Sequence, residues 1–285
     1  MREGQGSRTA QWVALLRAFA GHERDPVVTD PVAEHLILGP YALGYQLARR
    51  VPRLLRACLS VASVVSSGRS RHLSLRTRAI DDAVVAEADA GTRQLVLLGA
   101  GLDARAYRLA ALKDTVVFEV DHPSTQREKR ARVPSDHVAK DVRFVSVDFA
   151  RDSLEGALRG AGHEPSQATT FVWEGVTMYL ERSAVLATLR TVEALAAPGS
   201  LLAMTYHAPR TTAGAFLVGV YVGVVGEPFR LRMGPEEVRE LLAARGFHVE
   251  SDESDDAWGR RFSGRAVPTV GERLVCARAT SREGG

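Results

Sequence analysis

Apolar residues recur at three- and four-residue spacing through residues 10–90, as at Trp12, Leu15, Leu16 and Phe19, and strand signals there are few. Side chains at that spacing share one face of an α-helix, so the segment reads as helical. From about Gln94 the pattern changes to short β-rich runs alternating with helical stretches: Leu95–Leu98, Val116–Val120, Arg143–Val147, Phe171–Trp173 and Leu201–Tyr206. Strands that alternate with helices predict a mostly parallel sheet covered on both faces. Between the last two runs, Val185, Leu186, Leu189 and Val192 mark a helix with Ser183 as its N-cap and Pro198-Gly199 as its stop. A second helix opens at Gly234-Pro235-Glu236-Glu237 and ends at Gly246. Proline in its first turn and two carboxylates suit the positive end of the helix dipole. Phe247–Glu250 and Arg273–Ala279 follow as strands with only a polar stretch between them, which predicts an antiparallel, hairpin-like finish.

Composition narrows the picture without redirecting it. A chain of 285 residues accommodates one large α/β domain or two small ones. Hydrophobic residues at 45% and charged residues at 25% are those of a globular protein. A net charge of +3 is too small a surplus to argue for nucleic acid or an anionic membrane. Only Lys113, Lys129 and Lys140 interrupt an otherwise all-arginine basic set, a bias that suggests a GC-rich genome and no particular chemistry. Cys58 and Cys276 lack the C-x-x-C spacing of a metal or redox site, so a cytoplasmic, disulfide-free protein is the simplest expectation. The residues before Trp12 do not read as a secretory signal. The longest uncharged run, Thr211–Gly226, is shorter than the roughly 20 residues of a spanning helix and is interrupted by glycines, so no membrane span is expected.

The chemistry gathers at strand ends. Leu95–Leu98 runs into Gly99-Ala100-Gly101-Leu102-Asp103-Ala104-Arg105, where glycines let the backbone approach a ligand and a following helix would offer its first N–H groups. The next strand ends in Asp121, about twenty residues on, where a carboxylate would bind ribose hydroxyls of a dinucleotide or adenosyl ligand; a solvated loop aspartate is the plainer alternative. Asp148-Phe149 and Glu174 close the third and fourth strands. Asp148 suits the amine of an adenine, with Phe149 against the ring, or an N-cap; Glu174 suits a ligand or a buried structural hydrogen bond. Ligands in open parallel sheets bind outside the carboxyl ends of the strands, and four such ends converge here.

The motifs LLGAGLDARAYRL (97–109), FEVDHPSTQREKR (118–130) and VWEGVTMYL (172–180) resemble the leucine carboxyl methyltransferase superfamily, specifically its bacterial branch of S-adenosylmethionine-dependent O-methyltransferases associated with polyketide biosynthesis. TAQWVALLRAF (9–19) and RTRAIDDAV (77–85) extend the likeness over nearly the whole chain. The resemblance implies a class I, Rossmann-like methyltransferase fold: a seven-stranded, mostly parallel sheet with one reversed strand and a helical N-terminal extension. It implies residues 1–90 as a helical cap and 91–285 as the cofactor-binding core, with a substrate-pocket insertion near 208–233. It places the methionine part of the cofactor against Gly99 and Gly101, its carboxylate on Arg78, its ribose on Asp121 and its adenine at Asp148-Phe149. Glu174 would lie beside the amino group. Arg17 is a looser second contact for the carboxylate, with a surface position the plainer reading.

Between His35 and Ile80 stand eight arginines and no acid, either a solvated helical face or a cationic lid for an anionic substrate. Tyr179, Tyr206 and His207 are placed to face the transferred methyl as catalytic candidates, each with a core position as its alternative. No metal-ligand spacing and no G-x-S-x-G turn occurs, so a metal-free displacement is expected. The favoured acceptor is a carboxylate of a small aromatic or polyketide acid, with a phenol or hydroxyl close behind. A nicotinamide-dependent oxidoreductase and a cofactor-binding module without transfer activity are the competing classes.

Overall fold

The computed structural model describes residues 8–23, 25–51, 69–148, 151–209, 229–267 and 270–281. Cys58, Phe149 and most of the 208–233 insertion lie outside them. Among the described residues four helices come first: α1 (Arg8–Ala20), α2 (Ala33–Leu36), α3 (Gly39–Arg50) and the long α4 (Arg69–Asp89). The α/β part then runs β1 (Gln94–Leu98), α5 (Arg105–Arg108), β2 (Val116–Asp121), α6 (Pro123–Arg130), β3 (Asp141–Ser146), α7 (Leu154–Gly160) and β4 (Thr169–Trp173). It continues with α8 (Arg182–Leu195), β5 (Leu201–His207), α9 (Pro235–Ala243), β6 (Phe247–Ser254), α10 (Asp255–Ser263) and β7 (Glu272–Ala279).

The seven strands form one sheet in the order β3-β2-β1-β4-β5-β7-β6. β1 pairs in parallel with β2 and β4, and β5 in parallel with β4, while β7 runs antiparallel between β5 and β6. Each of β1, β4 and β5 is buried along its whole length, as central strands of a sheet covered on both faces must be. The order reverses between β1 and β4, so the crevice at their carboxyl ends is where such a sheet opens to a ligand.

Two apolar clusters cover the two faces. On one, Leu75, Ile80 and Val84 of α4 join Leu15 of α1 and Leu36 of α2 against Leu95 and Leu97 of β1, Val172 of β4 and Ala203 of β5. On the other, Val185, Leu189 and Val192 of α8 and Val238 and Leu242 of α9 pack on Phe171, Trp173, Leu202, Met204 and Tyr206. The helical N-terminal segment thus shares its core with one face of the sheet.

Two local expectations fail. The segment between β6 and β7 is not merely polar: α10 lies there, with Ser254 accepting from the Ala257 N–H, Asp255 and Asp256 in its first turn, and Gly264 ending it at φ 66°. Apolar periodicity is weak over α10 because Trp258 is its one fully buried large apolar residue, the other buried positions being Asp255 and Gly259. Second, α8 begins at Arg182 with Glu181 before it and no side-chain cap, so Ser183 lies inside the helix.

Candidate active site

The turn after β1 is shaped by close approach. Gly99 (φ 69°) and Gly101 (φ 50°) take left-handed backbone. A Cβ on Gly99 would come 2.7 Å from Cγ2 of Val176, so the turn and the loop after β4 meet where only hydrogen fits. Asp121, at the end of β2, accepts from the Gly101 N–H at 2.5 Å and the His122 N–H at 2.6 Å, which ties strand end to turn. Burial raises the Asp121 carboxyl above its ordinary range, against the lowering effect of those two N–H groups and of Lys129. The helix after the turn is one turn long, and its Arg105 N–H is already taken by Asp103 at 2.7 Å. That N–H is therefore not available to a ligand.

Glu174, just past β4, is gripped from two sides. Arg76 of α4 gives its Nε to Oε1 at 2.9 Å, and Nη2 of Arg105 lies 2.8 Å from Oε2. Arg105, 1% exposed, also donates to Asp81 at 2.7 Å and pairs with Asp103. Asp81 in turn holds Arg108 at 2.7 Å, and Asp30 stands 3.8 Å from Arg108 and 3.6 Å from Arg17. Burial pushes Asp103 up, but Arg105, Lys129 and Arg17 together outweigh it and hold the carboxyl at about 2. Burial likewise raises Glu174, and Arg105 and Arg76 reverse the effect, leaving it below its usual value.

Arg76 carries this chain of charges to the other side of the crevice. Its Nη1 lies 3.0 and 3.2 Å from the two carboxylate oxygens of Glu272, the first residue of β7. His72, one turn earlier on α4, places Nε2 2.6 Å from Glu272, and its ring lies beside that of Trp258. Glu272 sits opposite His207 across the β5/β7 pairing. Burial raises the Glu272 carboxyl, and Arg76 and His72 drive it far below the usual carboxylate range. His207 is itself buried, its pKa lowered first by that burial and raised in part by Glu272. Its ring stacks 4.7 Å from Phe229, whose other neighbour is Tyr179 at 5.7 Å.

Residues 10–193 match the family model described as leucine carboxyl methyltransferase. The chain belongs to the leucine carboxyl methyltransferase family. A Streptomyces coelicolor relative, provisionally described as an S-adenosyl-L-methionine-dependent methyltransferase, is 37% identical over 203 residues, 70% of this chain and 66% of that protein. One from Mycolicibacterium gilvum with the same description is 38% identical over 206 residues, 70% of this chain and 65% of that protein. A Mycobacterium avium relative is 37% identical over 85% of this chain and 75% of its own length. The matched stretch is thus just under two thirds of the first two relatives. Among solved structures, a DUF574-family protein from Streptomyces avermitilis superposes with a TM-score of 0.61 at 15% identity, over 97% of this chain and 99% of that one. A provisionally assigned methyltransferase from Thermobifida fusca gives 0.58 at 15% identity, over 96% and 98%. The fold is the class I methyltransferase fold.

For this member of the family, several expected site residues fall elsewhere. Arg78 points outward: it is about half exposed, bonds Asp82 one turn on at 2.7 Å and lies over the Phe262 ring. Two residues along α4 turn a side chain by roughly 200° around the helix axis, so Arg76 and not Arg78 reaches the crevice. Tyr206 also faces away. Its hydroxyl donates to Asp252 at 2.7 Å and accepts from Arg273 at 3.1 Å, within the α8/α9 face, because alternate residues of β5 point to opposite sides. Asp148 lies in the turn before α7, its carbonyl accepting from the Arg151 and Asp152 N–H groups and its N–H given to the Asp152 side chain, while Ser153 is the residue that caps α7. Arg17 is buried and bonds the Leu102 carbonyl, so the surface reading of it is wrong. Gly99, Gly101, Asp121 and Glu174 stand at the carboxyl ends of the adjacent strands β1, β2 and β4, and Tyr179 and His207 are linked through the Phe229 ring. Arg105, His72, Glu272 and Phe229 complete the site unannounced by any motif reading; Arg105 stood within the quoted glycine motif, and only its burial reveals its part.

Of the eight arginines between His35 and Ile80, those described divide accordingly. Arg49 is exposed on Glu34, Arg71 is half-buried on Glu23 and Ser263, and Arg76 alone among the described ones enters the crevice. Among the described residues no group of three His, Cys, Asp or Glu is arranged to hold a metal ion, and no helix is long and apolar enough to cross a membrane.

Proposed function

We propose that this chain is an S-adenosylmethionine-dependent methyltransferase that methylates an oxygen of a small molecule. The observation that carries the reading is the placing of Gly99/Gly101, Asp121 and Glu174 at three adjacent strand ends beside a buried guanidinium, Arg76. Those groups suit the cofactor's parts. A carboxylate at Asp121 accepts from a ribose diol. Glu174 complements an ammonium, and Arg76, which gives Nε to Glu174 and Nη1 to Glu272, adds the positive charge that would draw the methionine carboxylate. The cradle at Gly99 has no room for a side chain but leaves backbone within reach of a ligand. When bound, the cofactor supplies an electrophilic methyl on a sulfonium; the chain's residues bind, orient and exclude water, and proximity provides most of the rate.

The N-terminal helices serve in this reading as a cap over the crevice, with Tyr179, Phe229 and His207 as an aromatic wall for the acceptor. The family resemblance favours a carboxylate acceptor of aromatic polyketide type, handled in the cytoplasm. Carboxylate and hydroxyl acceptors differ in one respect that a site registers: only the hydroxyl must lose a proton.

Mass spectrometry of ligands retained by the purified protein, with calorimetric titration of S-adenosylmethionine, tests the proposal. Retained S-adenosylmethionine or its demethylated product, and saturable binding lost in Arg76→Ala, are the expected results. Retained NAD(H), or no binding of S-adenosylmethionine by folded protein, overturns it.

A further inference from the structure

Along the charge chain the carboxylates outnumber the arginines. Four arginines, from Arg17 to Arg76, face five carboxylates, from Asp30 to Glu272, each within ion-pair distance of a neighbour. Both guanidiniums nearest the acceptor end are shared: Arg76 between Glu174 and Glu272, Arg105 among Asp81, Asp103 and Glu174. An acceptor carboxylate brought beside Glu272 would be a further buried anion on a guanidinium that Glu174, Glu272 and the cofactor's carboxylate already share, which disfavours it. A neutral acceptor avoids that cost.

The same end of the crevice holds a built proton acceptor. His207 is 5% exposed, closes β5, and is walled by Phe229. His207 stands across the β5/β7 pairing from Glu272, and a neutral imidazole there offers one ring nitrogen as a base. Glu272 from β7, His72 and Arg76 from α4 and the carboxylate of Asp255 beyond His72 are the charged and titratable groups around it. Glu272 is held in place by Arg76 and His72, and its negative charge favours the imidazolium that proton uptake creates.

We propose that His207 is the catalytic base of this site, that Glu272 and His72 are its positioning residues, and that the acceptor is accordingly a neutral aromatic hydroxyl. The inference rests on the methyltransferase reading above. In the step, the hydroxyl proton passes to the free nitrogen of His207 while the oxygen's electron pair forms the bond to the methyl carbon. The carbon–sulfur bond breaks with its pair staying on sulfur, which ends neutral, and the proton leaves from His207 to solvent.

Two readouts test this on the full chain. The first needs no turnover: the His207 ring is followed by NMR in 15N-histidine-labelled protein, assigned by its loss in His207→Asn. A ring neutral at pH 7.5 in one tautomer, with a midpoint that falls in Glu272→Gln and recovers in Glu272→Asp, supports the proposal. A ring protonated at pH 7.5, or indifferent to Glu272→Gln in a folded variant, overturns it. The second uses 6-hydroxy-2-naphthoic acid, which offers both oxygens, with S-adenosylmethionine. A base-stable aryl ether, falling about 100-fold or more in His207→Asn, supports it. A base-labile methyl ester formed equally by His207→Asn overturns it, and where neither product forms the NMR titration decides. Failure of S-adenosylmethionine to bind would sink the methyltransferase reading while leaving the His207 titration as measured.

Discussion

The two halves of the crevice are built differently. On the β1/β2 side, Gly101 and Asp121 meet across 20 residues of chain, through backbone N–H groups and left-handed glycines that a short motif encodes. On the β4/β5/β7 side, Arg76 meets Glu174 across 98 residues and Glu272 across 196, through side chains alone. A backbone cradle tolerates change in its surroundings because its donors are part of the turn. A buried charge chain does not, since removing one member leaves its partners' buried charges under-compensated.

The largest effect should come from cutting that chain. Arg76→Met leaves Glu174 without one of its partners and Glu272 facing only His72, which should cost about 3 to 5 kcal/mol in chemical denaturation. A loss under about 1 kcal/mol would show that the charge-chain half is as forgiving as the cradle. The same pairs set an acid limb. Glu272 and Glu174 have folded pKa values below the ordinary 4.5, so their contribution to stability is complete above about pH 4.5 and is lost as pH falls through the folded values. Thermal unfolding between pH 6 and 3 should therefore fall more steeply in wild type than in Glu272→Gln.

Asp121 should behave in the opposite sense. Its folded pKa is raised, so ionised Asp121 weighs against folding, and its share of stability is lost as pH rises through that value. Asp121→Asn should keep or raise the melting temperature at pH 7 while weakening S-adenosylmethionine binding by about 1.5 to 3 kcal/mol, the worth of hydrogen bonds to a charged group. Unchanged affinity by calorimetry would remove Asp121 from the site.

A smaller change comes from the cradle itself. Gly99→Ala forces an L-residue to φ 69° and a methyl against Val176, for about 1 to 2 kcal/mol in thermal unfolding. Pairing it with Val176→Ala should recover the part due to contact and not the part due to backbone. Full recovery would mean that the glycine is there for space alone. Smallest of all, Arg78→Ala should stay within about 0.5 kcal/mol of wild type and bind S-adenosylmethionine normally, as an exposed i,i+4 pair is worth little. Loss of cofactor affinity there would return Arg78 to the site and displace Arg76.

The pattern of apolar positions by itself determined the seven strands, the flanking helices α8 and α9 and the glycine turn with its acidic strand ends. Burial of a central strand and the geometry of a tight turn are local demands, and residues within a few positions must meet them. Which arginine of RTRAIDDAV turns inward was decided by the rotation of α4 against the sheet, and the side presented by Tyr206 by the register of β5 against β7. Helix α10 and the partnership of Glu272 with His72 and Arg76 likewise exist only in three dimensions. Ion pairs carry no signature of spacing along the chain: a carboxylate near the C-terminal end can compensate any guanidinium that folding brings to it, and only the closed sheet, with β7 slotted beside β5, brings Glu272 to Arg76 and His207.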